Sequence, residues 1–110
     1  MDEDSVLLSV IEKMGEACQL RQSQEELAEC IVAISHYLRN PCINEQAQLL
    51  EELAHVDIMI KQCEIIMTRI YGQSVGKRIM GYREDALIRI EKIAQWGNGG
   101  NGIHEGLKNL

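Results

Sequence analysis

Apolar residues recur at intervals of three and four on both sides of the chain's one proline, a pattern that leaves little room for anything but helices. Ahead of Pro41 the series is Leu27, Ile31, Ile34 and Leu38; beyond it come Leu49, Leu53, Val56, Ile60, Cys63, Met67 and Ile70. Such spacing puts the side chains on one face of each helix, and both stripes are expected to face the core. Asn40-Pro41 ends the first helix, because the residue before a proline is pushed out of the helical region. Its start lies near Ala17, or near Ser23, whose Ser-x-x-Glu spacing to Glu26 imitates a capping box. Asn44 is the expected cap of the next helix and Gly72 its stop. Upstream, Ser5 to Met14 reads as a short amphipathic helix capped by Asp4 or Ser5 and stopped by Gly15. Downstream, Ser74 to Gly81 reads as a connector, followed by a helix from about Tyr82 to Gln95 or Trp96. The run Gly97-Asn98-Gly99-Gly100-Asn101-Gly102 reads as a flexible linker. No strand pattern emerges. The expectation is one all-α domain over 1–96, a bundle of four to five helices, with a flexible Gly/Asn-rich tail over 97–110.

Composition agrees with that class. The chain of 110 residues is 45% hydrophobic with no Phe and one Trp, so its core must be aliphatic, and a chain of this length fits one domain. Beyond Val56 the long helix is apolar on nearly every side, which predicts burial against several neighbours and a subunit interface. Asp57, Lys61, Gln62, Glu64 and Arg69 interrupt that stretch, so it reads as a buried helix and not a membrane span. A formal net charge of -6 argues against a grip on nucleic-acid backbone, which depends on clustered Lys and Arg. Cys18, Cys30, Cys42 and Cys63 show no Cys-x-x-Cys spacing, so a zinc site joining them to His36 or His104 is disfavoured. Reduced thiols and an acidic N-terminus without a signal peptide predict a cytoplasmic protein.

The chemistry is expected where one tetrad occurs twice. Glu25-Glu26-Leu27-Ala28 is followed by Glu29, and Glu51-Glu52-Leu53-Ala54 by His55. Residues three apart on a helix share a face, so two such helices packed together bring several ligand atoms around one point, as helical bundles do when they hold a divalent metal. Measured from Leu27 at about 100° per residue, Glu26 and Glu29 lie roughly 100° and 160° away on the same side and flank the apolar stripe. Glu52 and His55 repeat that layout around Leu53, which suggests the wall of a cleft. A single Glu-x-x-Glu is usually just a solvated helix face; two copies in one tetrad on consecutive helices are harder to read that way. Carboxylates that hold magnesium commonly do so together with substrate phosphates, which points to phosphate ester or anhydride chemistry.

The pattern Glu25-Glu26-Leu27-Ala28-Glu29, a gap, then Glu51-Glu52-Leu53-Ala54-His55-Val56 resembles the signature of the MazG-like all-α nucleoside triphosphate pyrophosphohydrolases. The similarity runs from about Gly15 to Lys92 and is closest to the compact members typical of phage and prophage genomes. It implies a four-helix, oligomeric, magnesium-dependent enzyme that cuts a nucleoside triphosphate between its α and β phosphates; manganese is the alternative ion only because the imidazole of His55 suits manganese or zinc better than magnesium. It further implies that Glu26, Glu29 and Glu52 are metal ligands and that Glu25 and Glu51 support them or position water. Lys77, Arg78 and Arg83 are then expected to meet the β and γ phosphates, and Gln19 and Gln22 the base or sugar. The partners expected are the triphosphate substrate and one or three further copies of the chain.

Residue 55 departs from the family pattern, which has Asp where this chain has His. Asp57 is no substitute, lying about 200° round the helix from His55. Three readings stay open: three carboxylates with a water in the fourth position, a changed metal preference with His55 as ligand, or lost catalysis. Two rivals to the enzyme therefore stand beside it, a non-catalytic helical association module and a metal-storage or sensing bundle.

Overall fold

A computed structural model describes residues 1–96, which form four α-helices: α1 (Glu3–Met14), α2 (Glu16–Arg39), α3 (Ile43–Tyr71) and α4 (Ser74–Gln95). The all-α class is as the periodicity predicts. The linker and tail expected over 97–110 lie outside the described residues.

Asp2, not Asp4 or Ser5, caps α1: its Oδ1 accepts a hydrogen bond of 2.7 Å from the backbone of Ser5, which holds the Asp2 carboxyl below its ordinary pKa. Gly15 and Gly72 stop α1 and α3 at φ of 93° and 95°, a left-handed conformation that a side chain would strain. α2 begins directly after Gly15. Ser23 is therefore no cap; its hydroxyl is buried and donates to the carbonyl of Gln19 at 3.0 Å. α3 starts at Ile43 behind Cys42, with no side-chain cap, so Asn44 already lies inside the helix. The largest correction is at α4, which starts at Ser74 and runs straight through Gly76 and Gly81. Each glycine costs a helix about 1 kcal/mol relative to alanine, and the buried Val75 and half-buried Ile79 hold this turn-rich stretch against α3.

α2 and α3 form an antiparallel hairpin whose ends meet at Pro41, and this pair supplies most of the packing. The side chains turned into its seam are not the aliphatic stripe. On α2 the buried or half-buried positions include Gln19, Ser23, Glu26, Cys30 and Ala33; on α3 they include Glu52, His55, Met59, Gln62 and Ile66. Both sets step by three and four, so the seam is a second helical stripe, rich in polar groups. At its centre Gln62, 1% exposed, donates to the Gln19 carbonyl at 3.1 Å and to Ser23 Oγ at 3.0 Å, and accepts from Gln19 Nε2 at 2.9 Å. The buried groups of Gln19, Ser23 and Gln62 thereby partner one another, as burial requires.

Leu27, Ile31, Ile34 and Leu38, expected in the core, point outward; so do Leu53, Ile60 and Ile70 of α3. Among the described residues only Leu7, Ile11, Cys30, Ala33, Ile66 and Val75 form a buried apolar core. α1 closes one end of the hairpin through Leu7 and Ile11 and through ion pairs from Lys61 to Asp4 and from Arg69 to Glu12, and Arg69 also pairs with Glu16 at the start of α2. No described helix is long and apolar enough to cross a membrane.

Candidate metal centre

The antiparallel pairing of α2 and α3 sets Glu26 opposite His55, one turn from Ser23 and Met59 and two turns from the buried Gln62. His55 Nδ1 stands 3.3 Å from Glu26 Oε2 and 3.7 Å from Glu52 Oε2, and ligand atoms of the three residues all lie within 4.8 Å of one another. Glu52 is only 6% exposed. Its Oε2 and that of Glu26 are buried and accept no hydrogen bond, whereas their Oε1 atoms do: Gln22 Nε2 donates to Glu26 Oε1 and Gln48 Nε2 to Glu52 Oε1, both at 3.1 Å. Each carboxylate is thus gripped by one oxygen while the other is turned toward the shared point.

An anionic oxygen left without a donor in a protein interior is costly, and a cation removes that cost. Donor atoms on one ion, with bonds of about 2.1 Å, stand about 3.0 Å apart at right angles and about 4.2 Å apart when opposite. The observed separations approach those values, so Glu26, Glu52 and His55 fit a divalent ion.

Glu26, Glu52 and His55 come together as expected. Glu29 stays outside that triad, exposed on the wall of an adjoining groove, yet it feels the other carboxylates: the charge of Glu26, then partial loss of water and the charge of Glu52, raise its pKa above the ordinary value of 4.5. Glu25 and Glu51 are exposed on neighbouring positions. Gln22 holds Glu26 at a distance that leaves its amide committed to the carboxylate. Lys77, Arg78 and Arg83 are exposed on the first half of α4, and Arg78 lies beside Met67 and Tyr71, whose part of α3 is roughly 22 Å or more of helix beyond Glu52.

Gln48 was not anticipated, and a signal for it exists. Gln22 and Gln48 each precede their glutamate by four residues, so the repeat is Gln-x-x-Glu-Glu-Leu-Ala, longer than the tetrad. At i and i+4 on a helix the amide reaches the carboxylate.

The groove beside the centre has a volume of about 710 Å³ and runs toward the Pro41 turn between α2 and α3. Ala28, Val32 and Ala33 give it an apolar wall, Gln48 and Asn44 a polar one, and His36, 3.9 Å from Glu45, stands near its far end. Glu29 and Glu52 border it, and the free oxygens of Glu26 and Glu52 lie out of solvent in the seam beside it. No protein-family model, curated protein or solved structure matches the chain.

Proposed function

We propose that the chain is a metal-dependent nucleoside triphosphate pyrophosphohydrolase whose centre is Glu26, Glu52 and His55. The observation that carries this reading is the pair of buried, unbonded carboxylate oxygens on consecutive helices, beside a groove that Glu52 borders and whose size suits a small ligand. A bound divalent cation, magnesium in the family this chain resembles, supplies charge neutralisation for a polyphosphate and acidifies a water. The chain's part is orientation and proton transfer. Gln22 and Gln48 fix the two carboxylates, and the groove receives the nucleoside end. Water adds to the α-phosphorus, the bond to the α–β bridging oxygen breaks, and pyrophosphate leaves with the bonding pair. Glu29, on the wall of that same groove, takes the proton that the water loses.

Phosphates need cations, and Lys77, Arg78 and Arg83 stand away from the carboxylates within one chain. A second copy, packed on the outward aliphatic stripe of α2 and α3, completes the enzyme and covers the apolar surface. The rival reading, a non-catalytic association module, draws on the same stripe and on the way His55 already lies between the two carboxylates. Release of pyrophosphate and a nucleoside monophosphate from a panel of ribo- and deoxyribonucleoside triphosphates, with magnesium, manganese or cobalt, decides between them. Turnover that falls at least about a hundredfold in Glu52→Gln supports the enzyme, since the loss of one such charge-stabilising group is worth that much. A folded protein that releases no pyrophosphate with any of the three ions sinks it.

A further inference from the structure

Resting on the same centre, we propose that Glu26, Glu52 and His55 form a mixed nitrogen–oxygen site that selects a first-row transition-metal ion over magnesium, with His55 Nδ1 as a direct ligand. Three observations lead there. His55 Nδ1 lies within reach of both free carboxylate oxygens, at 3.3 and 3.7 Å. The side chain of Glu52 is more than nine-tenths buried with Oε2 unbonded, so the site is built for a ligand on that oxygen and is not merely a solvated acidic patch. Finally, the other carboxylate oxygens are already held by Gln22 and Gln48, so the donors presented inward are two oxygens and one imidazole nitrogen.

Such a set discriminates between ions. Magnesium is a hard cation that demands oxygen donors in a near-ideal octahedron and gains little from imidazole. Manganese(II), iron(II), cobalt(II) and zinc(II) accept nitrogen, with affinity rising from manganese through iron, cobalt and nickel to copper and falling again at zinc. Glu29, on the groove wall outside the triad, leaves the donor set as it stands. Changing His55 to a carboxylate turns the inner set into three oxygens and removes the basis of the preference.

The test is binding, not turnover. Calorimetry on the full chain with manganese, cobalt and magnesium chloride is expected to show both transition ions binding more tightly than magnesium, and the ratio shrinking by about tenfold or more in His55→Asp. Bound manganese is expected to show imidazole-nitrogen modulation in its electron spin echo, lost in His55→Gln. His55 is half-exposed, so neither variant opens the core, and helix content by circular dichroism verifies that. An unchanged ion ratio in His55→Asp, or no nitrogen modulation in the native chain, overturns the proposal. Pyrophosphate release with magnesium alongside absent nitrogen modulation would leave the enzymatic reading standing while this one falls. Nitrogen modulation with no triphosphate turnover would support this one and remove the enzyme.

Discussion

At the scale of single residues, the centre is organised by the amides behind its carboxylates. A carboxylate gripped at Oε1 has fewer orientations to lose when Oε2 meets a cation, so Gln48→Ala and Gln22→Ala should each weaken manganese binding by about tenfold to a hundredfold, read by calorimetry, with helix content unchanged. Glu29 supplies a pH signature. Its raised pKa, due first to the charge of Glu26, means that the folded chain keeps this proton to higher pH than the unfolded chain does. That contribution to stability is complete below the unfolded value of 4.5 and is lost as pH climbs through the raised native pKa. Without metal, Glu29→Gln should therefore melt no lower than the native chain at neutral pH, with the difference closing at acid pH. A Glu29→Gln melting point well below native at neutral pH would contradict this. That Glu26, Glu52 and His55 would share a face was legible in the sequence, because a doubled tetrad on consecutive helices fixes which faces carry these groups, whereas the place of Glu29 outside the triad was not. The role of Gln22 was not, since nothing in a sequence tells an amide that reaches its neighbour from one that reaches a ligand.

At the scale of elements, the polar seam decides how α2 and α3 slide against one another. Gln62 makes three hydrogen bonds to Gln19 and Ser23, and that network fixes the register that sets Glu26 opposite His55. Gln62→Leu strands the buried Gln19 side-chain amide and takes the donor away from Ser23 Oγ, at a cost of about 1–3 kcal/mol. It should lower the urea midpoint and weaken metal binding together; a variant equally stable and equally tight would show that the network is incidental. Helix ends followed the sequence where backbone chemistry is strict, at Gly15, Asn40-Pro41 and Gly72. They departed from it at Gly76 and Gly81, because helix propensity is a weak local preference and packing against α3 overrides it.

At the scale of the whole molecule, the exposed surface is the main anomaly. Ile31 is 65% exposed and Ile60 50%, in line with Leu27, Leu38 and Leu53 on the same two helices. Burying a side chain of that size stabilises by about 1.5–3 kcal/mol, so a second copy laid over this face has a large favourable term available. Light scattering behind size exclusion should report a dimer or tetramer, and Ile31→Asp with Ile60→Asp should shift it toward monomer while lowering the melting temperature. A native chain that runs as a monomer at tens of micromolar would remove the subunit proposal.

The order of residues alone settled that this chain is helical, where its helices stop, and which two of them carry the doubled carboxylate motif, because helical period and the conformational limits of glycine and proline act locally. It left undecided which of two stripes on α2 and α3 would face inward. Both repeat every three to four residues, and the pairing of Gln19, Ser23 and Gln62 across the hairpin, a contact between residues some forty positions apart, turned the polar stripe in, leaving the aliphatic stripe of α2 outward and that of α3 split between half-buried Leu49, Val56, Cys63 and Met67 and exposed Leu53, Ile60 and Ile70. That choice set Glu26 and Glu52 beside His55 with their free oxygens out of water. It is a tertiary outcome, since the cost of burying a polar group depends on what it meets.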